Sequence, residues 1–343
     1  MTFIACEVAM EIVPGIHQLK LPVPIPNDQM AVNVYLIRGE EGWMMVDTGW
    51  GTKEAFDALE KQAKEIGIGF EDISQIIITH FHPDHFGLAG RLKQLSGATI
   101  ALHQVERDFV YSRYINMDSL LAEMAQWLRL HGVPERELPR LQKASLGVRK
   151  FVLPASPDIA LKGGEKIAHG SFNFEVLWTP GHSPGHICLY EPKERILLSG
   201  DHILPTIFPN VGLHPQSGDN PLSDYLHSLE AMEQLEVDLI LPAHEHVFTG
   251  LRQRVKELYR HHEERRAAII NVLKEGAKTA YQVSLKIPWI INGVTMSFEE
   301  LSPLDKRLAV ISALAHLEPL RAEGKAERFL QDGIMFYNTP GGQ

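Results

Sequence analysis

One ten-residue stretch constrains this chain more than any other: Ile76-Ile77-Ile78-Thr79-His80-Phe81-His82-Pro83-Asp84-His85, an apolar β-branched run that empties into three histidines and an aspartate. Such a run ending at a polar cluster reads as a buried strand delivering side chains to the edge of a sheet. Alternate side chains of an extended segment share a face, so His80 and His82 can reach one cation together. Pro83 turns the chain, and Asp84 and His85 then fall at the start of the helix expected over 87–95, where they can serve a neighbouring position. One patch can therefore feed two adjacent metals. A coincidental cluster is the competing reading in a chain with 17 histidines among 343 residues. The order His-x-His-x-Asp-His directly after a strand argues against it.

The rest of the chain narrows the class of partner. A formal net charge of −10 disfavours a nucleic-acid polyanion or an anionic membrane and favours a small molecule. Cys6 and Cys188 are the two cysteines, too few for a disulfide framework or a thiolate zinc cluster. Met1 to Met10 lacks a basic region ahead of an apolar core, and no apolar run reaches membrane-spanning length, so a reducing, cytoplasmic setting is expected.

In chain order, strands are expected at 16–21, 32–37 and 43–46, with a proline-rich loop over 22–29. A surface helix follows over 53–66, then the strand at 76–79, the histidine loop, a helix over 88–95 and a strand at 99–102. This is the βαβ alternation of a layered α/β domain. Residues 104–150 break it: apolar and aromatic residues from Phe109 to Leu128 recur at helical spacing, and a second helix is expected over 139–148. The insertion can pack on the sheet, pair with a second subunit, or form an apolar wall of a substrate pocket. Beyond it come strands at 172–178, 187–190, 195–199 and 239–241, then helices over 251–274 and 309–323 and a hairpin-like end.

Thr79 to His85 resembles the signature of the metallo-β-lactamase-fold hydrolases, and further pieces of that pattern follow in order. They are Asp47-Thr48-Gly49, Thr179-Pro180-Gly181-His182-Ser183-Pro184-Gly185-His186, Ser199-Gly200-Asp201 and Pro242-Ala243-His244. The resemblance spans about 30–250. It implies an αββα sandwich over 11–250 with a helical insertion at about 104–150. It also implies one metal held by His80, His82 and His182, a second by Asp84, His85 and His244, and Asp201 bridging the two. Asp47, a turn residue on local evidence alone, would orient a ligand histidine. His186, at the start of a strand, and His202 and His246, each two residues or fewer from a ligand, are expected to support or pack rather than ligate.

Imidazole and carboxylate without thiolate suit zinc and tolerate iron or manganese. Two such ions would activate a bridging water as hydroxide, with Asp84 placed to steer the proton. No G-x-S-x-G elbow competes with that nucleophile. Asp201 points toward thioesterases of the glyoxalase II kind, lactonases, phosphodiesterases and RNases, since β-lactam hydrolases of this fold lack the bridging aspartate. His82 stands where flavodiiron proteins carry Glu. Leu204 stands where some lactonases carry a tyrosine, which weakens lactone specificity. The tail, 251–343, resembles the small winged-helix-like module of lactamase-like endoribonucleases, yet 11 Lys and Arg face 10 Asp and Glu across 260–343, so it lacks a basic footprint. A dinuclear hydrolase of a small thioester or ester is the leading expectation, with a possible homodimer. A phosphodiesterase or endoribonuclease, and a non-catalytic metal-binding regulator, are the alternatives.

Overall fold

A computed structural model describes residues 8–24, 31–291 and 293–341, except for the side chains of 143–146 and 148. The opening segment up to residue 7, with Cys6, and residues 25–30 of the proline-rich loop lie outside that description.

Two sheets face one another. The first has seven strands in sequence order, β1 (Met10–Val13), β2 (Ile16–Pro22), β3 (Ala31–Arg38), β4 (Trp43–Val46), β5 (Ile73–Ile77), β6 (Thr99–His103) and β7 (Ile159–Leu161). The second runs β12-β11-β10-β9-β8, from β8 (Lys166–His169), β9 (Phe172–Trp178), β10 (Ile187–Glu191), β11 (Ile196–Gly200) and β12 (Leu239–Pro242). Hairpins build the antiparallel parts, while β4-β5-β6-β7 and β11-β12 pair in parallel through helical crossovers.

The period-two alternation of the strands sorts their side chains into separate cores. Tyr35, Ile37, Ile77, Ile187, Leu189, Ile196 and Leu198 point between the sheets. Val32, Val34, Leu36, Ile76 and Ile100 point outward onto Phe56 and Leu59 of α1 (Lys53–Glu65) and Leu92 of α3 (Ala89–Ser96), with the short α2 (Pro83–Phe86) between those helices in sequence. Cys188, Tyr190, Leu197 and Ile240 point to the other outer face. That second face explains why β10 and β11 are buried along their whole length and read as near-continuous apolar runs. The αββα sandwich expected from the sequence is therefore present.

The insertion comprises α4 (Gln104–Val110), a π-turn over Tyr111–Ile115, α5 (Asp118–Leu130) and α6 (Leu138–Arg149). The single helix expected from 109 to 128 is thus broken at 116–117. Val110 and Tyr114 join the core of the first sheet, whereas Met124, Leu128, Leu138 and Leu141 join that of the second. Short β1, β7 and β8 were not anticipated. Nor was α7 (Pro221–Glu233), although Asn220 caps it with a side-chain oxygen accepting from Ser223 N–H and Pro221 begins it.

The tail runs α8 (Leu251–Leu273), α9 (Ala280–Ser284), the hairpin β13 (Trp289–Ile291) and β14 (Val294–Met296), α10 (Pro303–Ala322), and the hairpin β15 (Glu327–Gln331) and β16 (Ile334–Asn338). Leu258, Ile269, Leu314 and Leu317 share one apolar core with Leu222 and Tyr225 of α7 and the outer face of the second sheet. Among the described residues no helix is long and apolar enough to cross a membrane.

Candidate metal centre

The parallel strands β4, β5, β11 and β12 all end at one edge of the sandwich, and the β9–β10 loop arrives there too. Backbone bonds knit these ends together: Asp47 N–H donates to Ile77 C=O (2.9 Å), Ile187 N–H to Thr79 C=O (2.9 Å) and Ala243 N–H to Gly200 C=O (3.1 Å). Gly200 has a φ of +50°, and a Cβ there would meet His186 Nε2 at 2.6 Å, so only glycine lets the chain turn against that ring.

Seven side chains converge at this edge. His82 Nδ1 lies 2.8 Å from His80 Nε2 and 3.0 Å from His182 Nε2. Asp84 Oδ2 lies 3.7 Å from His85 Nε2 and 3.5 Å from His244 Nε2. Asp201 stands between the two triads. Its Oδ2 is 3.9 Å from His80 Nε2, 3.5 Å from His182 Nε2 and 3.5 Å from His85 Nε2, and its Oδ1 is 3.3 Å from His244 Nε2. Both triads, and the set His80, His85 and Asp201, are close enough for one cation each.

The hydrogen-bond network sets which imidazole nitrogens face the centre. Thr79 donates its N–H to Asp47 Oδ1 (2.8 Å) and its hydroxyl to Asp47 Oδ2 (2.8 Å), so Oγ1 accepts from His80 Nδ1 at 3.1 Å. His85 Nδ1–H donates to Asp47 Oδ2 (2.8 Å), His182 Nδ1–H to Asn210 C=O (2.9 Å) and His244 Nδ1–H to Ala31 C=O (3.1 Å). Four rings therefore present their ε nitrogens inward. Two buried inward atoms, His85 Nε2 and Asp201 Oδ1, have no hydrogen-bond partner. Converging imidazole and carboxylate donors with orphaned atoms at their centre fit divalent cations.

Electrostatics divide the triads. Burial, reinforced by neighbouring imidazoles, holds His80 and His82 well below the ordinary histidine value. Burial likewise lowers His182. Burial also opposes charge on His85 and His244, yet the carboxylates prevail: Asp201, Asp47 and Asp84 raise His85 well above its ordinary value, and Asp201 and Asp84 raise His244 to about 10. Asp201 is buried too, but His244 and His85 hold it well below the usual carboxylate range. One triad thus offers neutral lone pairs, and the other holds protons that a cation would replace.

Around the centre, His186 accepts Asp201 N–H at Nε2 (3.1 Å) and contacts Thr179 Oγ1 through Nδ1 (2.7 Å). His202 is buried edge-on to Tyr225 with neither ring nitrogen partnered, and His246 is exposed. Among the described residues neither belongs to a cation-sized cluster. Cys188 is buried and its thiol pushed up to about 12, which makes it inert.

Sequence reading missed the residues that the insertion sends beneath the ligand loop. Buried Glu106 accepts Phe81 N–H (2.6 Å), Gly185 N–H (3.1 Å) and the Ser183 hydroxyl, tying the His80 and His182 loops to one carboxylate. Burial pushes that carboxyl up to about 7. Tyr114 donates its hydroxyl to Phe81 C=O (2.5 Å), so the peptide flanked by His80 and His82 is held from both sides. Glu106 stands among Gln104, Arg107 and Asp108, so nothing in the local sequence marked it for burial.

Known proteins resemble this chain over most of its length. The metallo-beta-lactamase superfamily profile matches residues 27–244. A probable metallo-hydrolase of Bacillus subtilis, YqjP, is 26% identical over 325 residues, covering 94% of this chain and 97% of its own. The human acyl-coenzyme A thioesterase MBLAC2 is 28% identical over 232 residues, covering 64% of this chain and 75% of its own. Among solved structures, the metallo-beta-lactamase family protein TTHA1429 from Thermus thermophilus superposes with a TM-score of 0.82 at 33% identity, covering 96% of this chain and all of the other.

Proposed function

Because the chain belongs to the metallo-beta-lactamase superfamily of hydrolases, we propose that it is a dinuclear metal-dependent hydrolase of a small acyl substrate, a thioester before an ester or lactone. The observation that carries this reading is Asp201, whose two oxygens face both triads at once. His80, His82 and His182 would hold one ion, Asp84, His85 and His244 the other, with Asp201 shared. The donor set suits zinc and tolerates iron or manganese. Bound there, two divalent ions supply Lewis acidity and a nucleophile drawn from water at neutral pH. The chain's own part is to fix ring orientation through Asp47, Thr79 and two backbone carbonyls, and to carry a proton on half-buried Asp84. Thioesters come first because MBLAC2, similar over 64% of this chain, is named an acyl-coenzyme A thioesterase.

The test is turnover of a matched panel by metal-reconstituted protein: acyl thioesters, lactones and aryl esters beside single-stranded RNA and a simple phosphodiester. Acyl substrates should turn over, and His82→Ala should lower kcat/KM by about a hundredfold or more. Cleavage of RNA or the phosphodiester alone would overturn the acyl assignment and make the tail a substrate-binding module. Metal binding with no turnover of any substrate would favour a regulator.

A further inference from the structure

Beside the candidate cation positions lies positive charge that no carboxylate ion-pairs among the described residues. Arg113, on the π-turn of the insertion, places its guanidinium over the Phe81 ring, 4.2 Å from the centroid, close enough for its charge to act on His82. Its hydrogen bond is a long one, from Nη1 to Gln216 Oε1 at 3.4 Å. Gln216 is positioned by its own contacts, donating Nε2–H to Ser112 Oγ (3.0 Å) and N–H to His214 Nδ1 (3.2 Å). One residue before His214, Leu213 N–H donates to Ile311 C=O (2.9 Å), which docks the 211–217 loop on α10. Arg307 stands one helical turn before Ile311.

Arg307 makes no hydrogen bond or ion pair among the described residues, and its buried Nε has no partner. The charges of Arg113 and Arg307 both bear on His214, and that of Arg113 bears on Arg307. The acid whose charge reaches Arg113 is Glu106, but its oxygens are already taken by Phe81, Ser183 and Gly185. Two half-buried guanidiniums near each other, with no carboxylate ion-paired to either among the described residues, repel, and an anion joining them would relieve that repulsion. Planar guanidinium forks match phosphate and carboxylate oxygens in pairs.

We propose that Arg113 of the insertion and Arg307 of α10, with His214 between them, form a subsite for an anionic group of the substrate, a phosphate or a carboxylate, held beside the reacting acyl group. The proposal deepens the acyl-hydrolase reading and rests on it for the word substrate. It also gives the tail a place in recognition that its overall charge does not suggest.

The test uses metal-loaded, full-length protein and non-hydrolysable thioethers carrying one alkyl chain on three thiols: coenzyme A with its phosphates, glutathione with its carboxylates, and uncharged N-acetylcysteamine. Calorimetric titration should show one charged thioether binding at least about tenfold more tightly than the uncharged one, and which of the two identifies the anion. Arg307→Gln should collapse that preference about tenfold, and Arg307→Lys should restore part of it. A structural role for Arg307 would weaken all three ligands alike and leave the preference intact, which would overturn the proposal, as would equal binding of all three by the unaltered protein. Hydrolysis of the corresponding thioesters is read separately: if none is hydrolysed while the Arg307-dependent preference persists, the reaction assigned above fails and the anion subsite stands.

Discussion

Asp47 adopts a left-handed backbone conformation at φ 60°, unusual for a residue with a side chain, and gives both oxygens to the ligand loop. Asparagine tolerates the same conformation, so Asp47→Asn isolates the charge and the second acceptor from backbone strain. With His85 no longer held in its tautomer by a carboxylate, cation affinity at the Asp84, His85 and His244 position should fall about 10- to 100-fold. A competition titration with a chromophoric chelator measures this, and unchanged affinity would remove Asp47 from the support of the centre. Local sequence could not separate this aspartate from an ordinary turn residue before Gly49. Its role depends on the Thr79 and His85 contacts made 32 and 38 residues further on.

Among the elements, the insertion differs most from its sequence pattern. Helical spacing from Phe109 to Leu128 gave helix content and an apolar face, yet the π-turn at 111–115 brings Arg113 and Tyr114 to Phe81. Periodicity averaged over several turns does not register a single wide one. The insertion is consequently a clamp on the histidine loop. Tyr114→Phe keeps the ring and removes the donor to the buried Phe81 carbonyl, which should cost about 1–3 kcal/mol in stability and weaken cation retention. Thermal melts and metal content after dialysis report the two effects. A variant that melts normally and keeps its metal would leave Tyr114 a packing residue only. Strands β2 to β4 were legible because their apolar runs stop at Pro22, Gly39 and Asp47, whereas the strand expected at 76–79 lies at 73–77 because Ile78 and Thr79 already belong to the ligand loop. Three-residue β7 and the half-exposed β8 offer too little contrast to read.

At the scale of the molecule, the sandwich followed from strand alternation and motif order, whereas the docking of the tail did not. Ala309 to Leu317 of α10 are buried on every side, and a chain read singly does not show which surfaces cover such a helix. The tail also gathers buried neutral histidines. His262 Nδ1 and His316 Nε2 meet at 3.1 Å, and burial lowers His316 to about 3 and His262 well below 6.5. For groups lowered in the folded state, stability is complete above the unfolded value of about 6.5 and is lost as the pH falls from there toward the folded value. At pH 5 the cost for His316 is about 2 kcal/mol. The melting temperature should therefore fall steeply between about pH 6.5 and 4, and His316→Leu should flatten that slope. An unchanged slope in the variant would assign the acid sensitivity elsewhere.

The position of the seven converging side chains along the chain has a consequence for biosynthesis. On the proposed assignment, one triad is complete once residue 182 has emerged from the ribosome, whereas the other waits for His244, just past β12, which lies beside β11 at the end of its sheet. Until His244 is added, a cation held by Asp84, His85 and the shared Asp201 would lack its last protein ligand. On that assignment the two triads would be completed in a fixed order, and truncation anywhere between 201 and 243 would leave the second without His244.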